Sequence, residues 1–240
     1  MTATQPKNLV ISIGVDTGGT FTDLVLQMDN QIYTHKLLST PDNPAQAVLQ
    51  GIKEIISQAS DLGHIQYQLN ITHGSTVATN ILLERNGAEM ALLTTQNFED
   101  LIEIGRQNRA ELYNFDVDQP EPLVPSPRRY GVVERMLHTG QPQTEIDYDQ
   151  LGQLISQIPE VEAVAVCFLF SYINPTHEQT TVDMLKQKFG QTLISISASH
   201  QILPEYREFE RFSTTIANAY VQPKMQKYLH FLDAKLTEQF

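Results

Sequence analysis

Residues 11–23 read Ile-Ser-Ile-Gly-Val-Asp-Thr-Gly-Gly-Thr-Phe-Thr-Asp, and this stretch decides the predicted fold. An apolar strand ends in Asp16, turns on Gly18 and Gly19, and continues as a second strand over residues 22–27. The glycines have no side chain to keep a ligand away, and their N–H groups can point at an anion. Hydroxyls and carboxylates flank the turn: Thr17, Thr20 and Thr22, with Asp16 and Asp23. Together these groups predict a cradle for nucleotide phosphates and a hard divalent cation such as Mg²⁺.

The residues of this turn also allow interpretations other than a phosphate cradle. A plain β-hairpin would need its glycines only for turn geometry. Two familiar phosphate motifs, G-x-x-x-x-G-K-[ST] and a G-x-G-x-x-G that opens a helix, are absent from the sequence. The Asp-Thr-Gly triplet also supplies a carboxylate of the aspartic-protease dyad. The chain has no second Asp-Thr-Gly or Asp-Ser-Gly, which argues against a single-chain protease.

Composition and charge limit the possible partners. The chain has 240 residues, enough for one large domain or two small ones. Its formal net charge of −12 argues against a nucleic-acid groove or an anionic membrane surface as the main partner. The single cysteine, Cys167, excludes an internal disulfide and fits a reducing cytosol. Residues 1–8 lack the apolar core of a signal peptide, and no apolar run approaches the ~20 residues that span a bilayer. We therefore expect a soluble cytoplasmic protein.

The first half of the chain predicts a mixed α/β fold with the element order β-β-β-α-β-α-β-α. After the opening hairpin we expect strand 31–38, helix 45–59, strand 70–73, a helix from 74–76 to 86–87, strand 89–95 and a helix bearing Phe98. Three antiparallel strands followed by parallel βα units indicate a mixed sheet with helices on its faces. Ligands bind beyond the strand ends of such sheets, where both the Asp16 turn and the His73 turn are expected.

The second half predicts another βα section and a long helix. Four prolines mark residues 116–127 as a stiff connector. After it we expect strand 130–137, helix 147–157, strand 162–172, helix 176–189 with a capping box at Thr176 and Gln179, and strand 192–198. A helical stretch from about 204 to 236 ends the chain, with a break near Pro223. No later segment covers its apolar stripe, so we expect a truncated reading frame or an excised domain.

Residues 73–80, His-Gly-Ser-Thr-Val-Ala-Thr-Asn, place an imidazole, hydroxyls and an amide at a strand-to-helix turn. A helix N-terminus favours an anion or a developing oxyanion, and His73 could move a proton near neutral pH. In the structural alternative, Ser75 or Thr76 caps the helix and His73 packs in the turn. Composition alone leaves both interpretations open.

Three further charged stretches were considered. Arg106 and Arg109 could clamp a carboxylate or phosphate, although a solvated helix end is the simpler interpretation. His177-Glu178 resembles the start of H-E-x-x-H, but Thr181 occupies the fifth position and excludes that zinc motif. Residues 205–211 mix both charges, which predicts a solvated helix face with i,i+4 ion pairs.

Five stretches together resemble one family, the ATP-dependent hydantoinase and 5-oxoprolinase group, which also contains acetone-carboxylase-type subunits. Residues 15–23 resemble its N-terminal signature, and residues 73–80 resemble its second motif. That motif more often reads Gly-Thr-Thr, so Ser75 is a departure that keeps the hydroxyl. The remaining stretches are 103–109, 171–178 and 207–223. All five occur in family order over almost the whole chain, so the resemblance is specific.

The resemblance implies an actin/Hsp70/acetate-kinase (ribonuclease H-like) fold, with ATP bound between two halves. This agrees with the β-β-β-α-β-α order inferred independently. The later phosphate and adenosine motifs of the family are missing. The implied divisions are a phosphate-binding section 1–115, a Pro-rich connector 116–127, a second βα section 128–203, and the start of the following hydantoinase A domain, 204–240.

The implied function is the N-terminal part of an ATP-dependent amidohydrolase. It would open a small cyclic amide, 5-oxoproline or a hydantoin, through phosphorylation of the amide oxygen. Residues 16–23 would position the phosphates of ATP, and Asp16 would hold Mg²⁺ directly or through water. The resemblance implies two partners, the missing C-terminal half and a hydantoinase B-type subunit or domain, and an isolated fragment without activity. Candidates for the facing substrate pocket are His73, Thr76, Asn80, Arg106 and Arg109.

Three alternatives stay open beside this reading. A carboxylase subunit of the same family would phosphorylate a ketone or bicarbonate. A non-catalytic fragment would only bind nucleotide or assemble with partner chains through the stripe of residues 204–236. A sugar kinase shares the Asp-x-Gly-Gly-Thr turn, but the four later stretches argue against it.

Overall fold

The computed structural model describes residues 9–40, 43–59, 67–107, 121–190 and 195–240. Two compact units make up the chain, residues 1–84 with 225–240 and residues 85–224. The section boundaries expected at 115, 127 and 203 stay predictions. Arg109 and the start of the predicted strand 192–198 lie outside the described residues.

The first unit contains a four-stranded mixed sheet. Its strands are β1 (Leu9–Thr17), β2 (Phe21–Met28), β3 (Gln31–Leu38) and β4 (Tyr67–Ser75). The sheet order is β3-β2-β1-β4, with β1 antiparallel to β2 and parallel to β4. Antiparallel neighbours need only tight turns, whereas the parallel pair needs a crossover, which contains helix α1 (Pro44–Gln58). A short helix, α2 (Val77–Leu83), follows β4 directly. The predicted β-β-β-α-β-α order is confirmed.

One face of this sheet carries the core of the first unit. Side chains alternate along β1 and β2, so that Ile13 and Leu26 are buried while their sequence neighbours are exposed. Helix α1 packs Val48 and Ile52 on the same face, and burying each such side chain contributes about 1.5–3 kcal/mol. At Gly51 a Cβ would lie 2.5 Å from Leu24 Cδ1, so glycine is what lets the helix approach the sheet.

The second unit contains a parallel sheet and a small ribbon. Its strands are β5 (Met90–Thr95), β6 (Arg129–Val132), β7 (Arg135–Met136), β8 (Pro142–Thr144), β9 (Ala163–Cys167) and β10 (Ser195–Ala198). The parallel sheet has the order β10-β9-β5-β6, and β7 pairs with β8 alone. Every residue of β5 and β9 is buried, as expected of interior parallel strands. The helices are α3 (Leu101–Ile104), α4 (Tyr148–Gln157), α5 (Thr176–Phe189), α6 (Ser199–Ile202) and α7 (Glu208–Gln239), whose last residues belong to the first unit.

Two predicted strands are shorter than the sequence suggested. Strand 130–137 is interrupted because the Glu134 N–H donates to the Val132 carbonyl, a tight turn that separates β6 from β7. Strand 162–172 ends at Cys167. There Phe170 takes a left-handed φ of 55°, and its carbonyl accepts from the N–H of Ile173. Apolar residues continue past Cys167, so their pattern did not reveal the end.

The long helix differs from its prediction at both ends and in the middle. It begins at Glu208, because the backbone of Glu205 is bonded elsewhere. The Glu205 carbonyl accepts from the Arg211 guanidinium, and the Glu205 N–H donates to the Leu203 carbonyl. It is continuous through Pro223, so the predicted break is wrong. Proline costs a helix about 3 kcal/mol, and buried side chains such as Ala219 and Leu232 offset that cost.

Helix caps were predicted with mixed success. Asp147 caps α4 as expected, since its Oδ1 accepts from the N–H groups of Asp149 and Gln150. The capping box at Thr176 is wrong, because Asn174 Oδ1 accepts from the Thr176 N–H and hydroxyl instead. The residue with a left-handed φ after α2 is Arg85, with φ 53°, so the helix ends earlier than the predicted 86–87. No helix in the described part of the chain is long and apolar enough to cross a membrane.

Candidate functional site

The polar side chains around the Asp16 turn lie on two different faces of the sheet. Asp16 lies opposite Asp23 across the hairpin, and Thr17 lies opposite Thr22. Successive side chains of a strand point to opposite faces. The two carboxylates therefore lie on the exposed face, whereas the two threonines are buried, at 2% and 0% exposure. The expected phosphate roles of Thr17 and Thr22 stay predictions.

Ser39 holds the turn from the buried side. Its hydroxyl donates to the Gly18 carbonyl at 2.8 Å and lies 3.0 Å from Thr22 Oγ1. Because the Ser39 proton is used by Gly18, the Thr22 hydroxyl donates to Ser39. The Ser39 N–H also donates to the Thr20 carbonyl at 2.9 Å. Ser39 follows β3 and belongs to no motif, so its role was not predicted from the sequence.

The two glycines of the turn differ in what they offer. The Gly18 N–H donates to the Phe21 carbonyl at 3.0 Å and closes the hairpin, so it is not free for an anion. A Cβ at Gly19 would meet nothing within 4 Å, and its φ is not left-handed. Neither packing nor backbone conformation therefore requires glycine at position 19. The open space beside it, together with exposed Thr20, suits the approach of a ligand.

Asp16 is an exposed carboxylate with no hydrogen bond or ion pair to any described residue. Its neighbour on the adjacent strand β4 is Gly74, where a Cβ would lie 3.4 Å from Asp16 Oδ1. Glycine thus leaves room around this carboxylate. The described residues contain no cluster of three or more side chains suited to a metal. Mg²⁺ is commonly held by one or two carboxylates with phosphates and water, so Asp16 fits this ion.

Asp23 is engaged by a lysine that the sequence analysis did not single out. Lys36 lies opposite Asp23 on β3, and its Nζ is 2.9 Å and 3.2 Å from the two carboxylate oxygens. The same ammonium lies 4.5 Å from the centre of the Phe21 ring. Lys36 therefore places a positive charge on the face that carries Asp16.

His73 faces the buried side of β4. Its Nε2 lies 2.6 Å from the Tyr228 hydroxyl, and its Nδ1 is buried. Burial lowers the pKa of His73, an effect that the Val15 backbone and the Asp16 charge partly oppose. Burial also raises the pKa of Tyr228. His73 is thus a neutral ring held by Tyr228, and its predicted contact with substrate stays a prediction.

The residues after His73 follow the capping alternative in part. Ser75 Oγ accepts from the Val77 N–H at 3.2 Å, and the Thr76 hydroxyl donates to the Thr17 carbonyl at 3.3 Å. The exposed Thr76 is therefore anchored to the end of β1. Asn80 is half-buried on α2, and its N–H donates to the Thr76 carbonyl within the helix.

Arg106 lies in the second unit, directly after α3. Gly105 takes a φ of 56° and a ψ of −139°, a conformation that favours glycine, and so turns the chain there. The Arg106 guanidinium pairs with Glu210 in the first turn of α7. It borders an open depression that also contains Tyr206 and Arg207. Arg106 is half exposed, so its pairing with Glu210 leaves part of the guanidinium open to a ligand.

Two other family-like stretches, 171–178 and 207–223, build a buried polar network. Glu178 is fully buried and accepts from the Phe168 N–H, the Ser199 hydroxyl and His200. Arg211 is also fully buried, so its prediction as part of a solvated helix face is wrong. Its guanidinium donates to the Phe168 and Glu205 carbonyls. These acidic and basic side chains hold the segment after β9 in place.

A second buried cluster connects α5 to the turn after β6. His177 Nδ1 lies 2.7 Å from Glu134 Oε2, and its Nε2 lies 3.2 Å from Glu145. The other Glu134 oxygen accepts from the Thr95 hydroxyl. The hydrogen bond to Glu134 is the main cause that raises the pKa of His177. These hydrogen bonds hold Glu134, which lies between β6 and β7, in place.

The chain is similar in sequence to one protein family and to several characterised proteins. The family model "Hydantoinase/oxoprolinase N-terminal region" matches residues 12–189. The caprolactamase alpha subunit of Pseudomonas jessenii is 32% identical, covering 94% of this chain and 33% of that protein. The acetophenone carboxylase gamma subunit of Aromatoleum aromaticum is 30% identical over the same shares. A 5-oxoprolinase of Dictyostelium discoideum is 26% identical, covering 91% of this chain and 20% of its own length.

Solved structures agree with these sequence matches. The ATP-dependent caprolactamase from Pseudomonas jessenii superimposes with a TM-score of 0.80 at 30% identity, covering 95% of this chain and 34% of that one. Nucleotide-free acetone carboxylase has a similar fold, with a TM-score of 0.79 at 24% identity and the same coverage. The chain spans about a third of the length of the two subunits that it matches.

Proposed function

The chain belongs to the hydantoinase/oxoprolinase family, and from this premise we propose that it forms the N-terminal part of an ATP-dependent amidohydrolase. The substrate is a small cyclic amide such as 5-oxoproline or a hydantoin. The observation that carries the proposal is the exposed, unpaired Asp16 beside the open space at Gly19. Two relatives, a caprolactamase and a 5-oxoprolinase, are named for cyclic amides, which supports this substrate class.

The proposed mechanism separates the phosphate turn from the substrate residues. When bound, Mg-ATP would supply a phosphoryl group to the amide oxygen, which opens the carbonyl carbon to attack by water. Asp16 holds the metal, directly or through water, and the exposed segment of Gly19 and Thr20 borders the phosphates. The hydrogen bond of the Thr22 hydroxyl to Ser39 and that of the Gly18 N–H to Phe21 keep that segment in shape. Asp23 completes the row of charges on the same face.

The substrate side is proposed from the remaining family-like residues. Thr76 and Asn80 border the end of β4, and Arg106 with Arg109 would orient a carboxylate or a developing oxyanion. His73 acts in this proposal through position, since its Nε2 is bonded to Tyr228. We further propose that activity requires a C-terminal half and a hydantoinase B-type partner, in the cytoplasm. The names of two relatives as alpha and gamma subunits support the need for partners.

The second candidate function is a carboxylase subunit that phosphorylates a ketone or bicarbonate. The acetophenone carboxylase gamma subunit is almost as similar to this chain as the caprolactamase subunit is. The phosphate turn serves both reactions equally, because both begin with transfer from ATP to an oxygen atom.

Phosphate release separates these functions. The chain is supplied with its C-terminal half and B-type partner and assayed with Mg-ATP and 5-oxoproline, hydantoin or acetophenone with bicarbonate. We expect release only with a cyclic amide; release only with the ketone favours the carboxylase. Asp16→Asn should abolish turnover, while Asp29→Asn is the control, since Asp29 is an exposed turn residue whose φ of 50° asparagine tolerates. Unchanged turnover in Asp16→Asn would contradict the metal assignment, and turnover by residues 1–240 alone would contradict the need for partners.

A further inference from the structure

One row of residues crosses all four strands of the first sheet at the level of the phosphate turn. Gly74 of β4 lies opposite Asp16 of β1, Asp16 opposite Asp23 of β2, and Asp23 opposite Lys36 of β3. Neighbouring strands are about 4.8 Å apart, so the backbones of Lys36 and Asp16, two strands apart, are separated by about 10 Å. A charged row of this kind runs along the edge that Gly19 leaves open.

Without Lys36, this row would carry only negative charges and would repel an anionic ligand. Two carboxylates directly opposite each other repel, and both repel a phosphate chain. Among the described residues, Lys36 is the one cation that bonds to the row. Asp16 keeps a free carboxylate for a metal ion, whereas Asp23 has its charge offset by Lys36.

The Asp23–Lys36 ion pair can open so that Lys36 binds another anion. Both side chains are about half exposed, at 52% and 55%, and exposed ion pairs add little to stability. Contact with the Phe21 ring keeps the ammonium at the turn when the carboxylate is released. A polyphosphate carries more negative charge than one carboxylate, and its oxygens can accept hydrogen bonds from all three N–H groups of the lysine ammonium.

We propose that Lys36 is a phosphate-binding residue of this turn, and that Asp23 is its partner in the absence of nucleotide. Upon binding, the Lys36 ammonium leaves Asp23 and donates to a terminal phosphate oxygen. This inference rests on the proposed function, because it assumes that the turn receives phosphates. It assigns the second carboxylate of the turn a competing role and leaves the metal to Asp16.

The test is a titration of the 240-residue chain with magnesium tripolyphosphate, followed by NMR shifts of residues 16–23. Lys36→Gln should weaken binding about tenfold or more, since a hydrogen bond to a charged group has roughly that worth. Lys36→Arg should restore most of the affinity. Asp23→Asn removes the competing carboxylate and should tighten binding. Lys53→Gln, an exposed lysine on α1, is the matched control and should bind as the wild type does.

The outcomes separate this inference from the proposed function. If the wild-type chain shows no shifts at the turn even at high millimolar ligand, the phosphate role of the turn fails and this inference fails with it. If the wild type binds and Lys36→Gln binds equally well, only the role of Lys36 is overturned. Weaker binding by Asp23→Asn would overturn the exchange, because it would show that the pair acts as one structural unit. Thermal unfolding of each variant verifies that it is folded.

Discussion

The imidazole Nε2 of His73 lies 2.6 Å from the hydroxyl oxygen of Tyr228, although 155 positions separate the two residues in the chain. Because burial lowers the pKa of His73, its ring is neutral near pH 7 and accepts the Tyr228 proton at Nε2. This bond fastens the C-terminal part of α7 to the strand beside the Asp16 turn. The strand beside the Asp16 turn is thus in contact with a residue from the far end of the sequence.

Tyr228→Phe is expected to destabilise the chain by about 1–2 kcal/mol, because it leaves a half-buried imidazole nitrogen without its donor. Chemical denaturation at neutral pH measures the change. Tyr148→Phe serves as the control, since Tyr148 is 64% exposed and its loss of a hydroxyl should cost almost nothing. Equal stability of Tyr228→Phe and wild type would show that the bond contributes nothing.

The His177 cluster predicts a pH-dependent difference in stability. The folded state raises the pKa of His177 above 6.5, so it binds the proton more tightly than the unfolded chain does. The stabilisation is complete below pH 6.5 and is lost as the pH rises through the folded value. In urea titrations, the stability gap between wild type and His177→Gln should therefore shrink with rising pH. A gap for His177→Gln that stays constant or widens with rising pH would contradict the assignment.

Arg211→Met should destabilise the chain by about 3 kcal/mol or more. The change leaves the Phe168 and Glu205 carbonyls without their donor and a buried Glu178 charge without a neighbouring cation. Arg207→Met removes an exposed guanidinium from the same segment and should change stability little. Thermal or urea unfolding of both variants tests this contrast. Similar losses in the two variants would mean that burial of Arg211 is not what matters.

Gly19→Ala should separate binding from stability. A Cβ at this position meets nothing within 4 Å, so the free energy of unfolding should stay the same or rise by up to about 1 kcal/mol. The methyl group would occupy the space proposed for phosphate, so magnesium tripolyphosphate should bind more weakly. Gly87→Ala is the opposite control: its Cβ would overlap the Tyr220 ring and should destabilise the protein. Unchanged binding by Gly19→Ala would contradict the phosphate approach at this turn.

Local patterns predicted much of the fold and only part of the site. The alternation around Ile13 and Leu26 revealed the hairpin, and Asp147 marked the start of α4, because both signals act within a few residues. The end of β9 was missed because apolar residues continue beyond Cys167 while the backbone turns. In the site, the two-residue turn at 29–30 sets the register that pairs Lys36 with Asp23, but Lys36 was missed because no motif marks it as a ligand-binding residue.

The sequence by itself determined the strand–turn–strand of residues 11–23, the order of strands and helices along the first unit and the family to which the chain belongs. These follow from side-chain period, glycine placement and short motifs, which are all local properties of the chain. Only the tertiary structure decided that Arg211 is buried, that His73 is held by Tyr228, and that α7 continues through Pro223. The reason is physical: burial and pairing depend on which distant residues meet, and a gain from such contacts outweighs a local preference of a few kcal/mol.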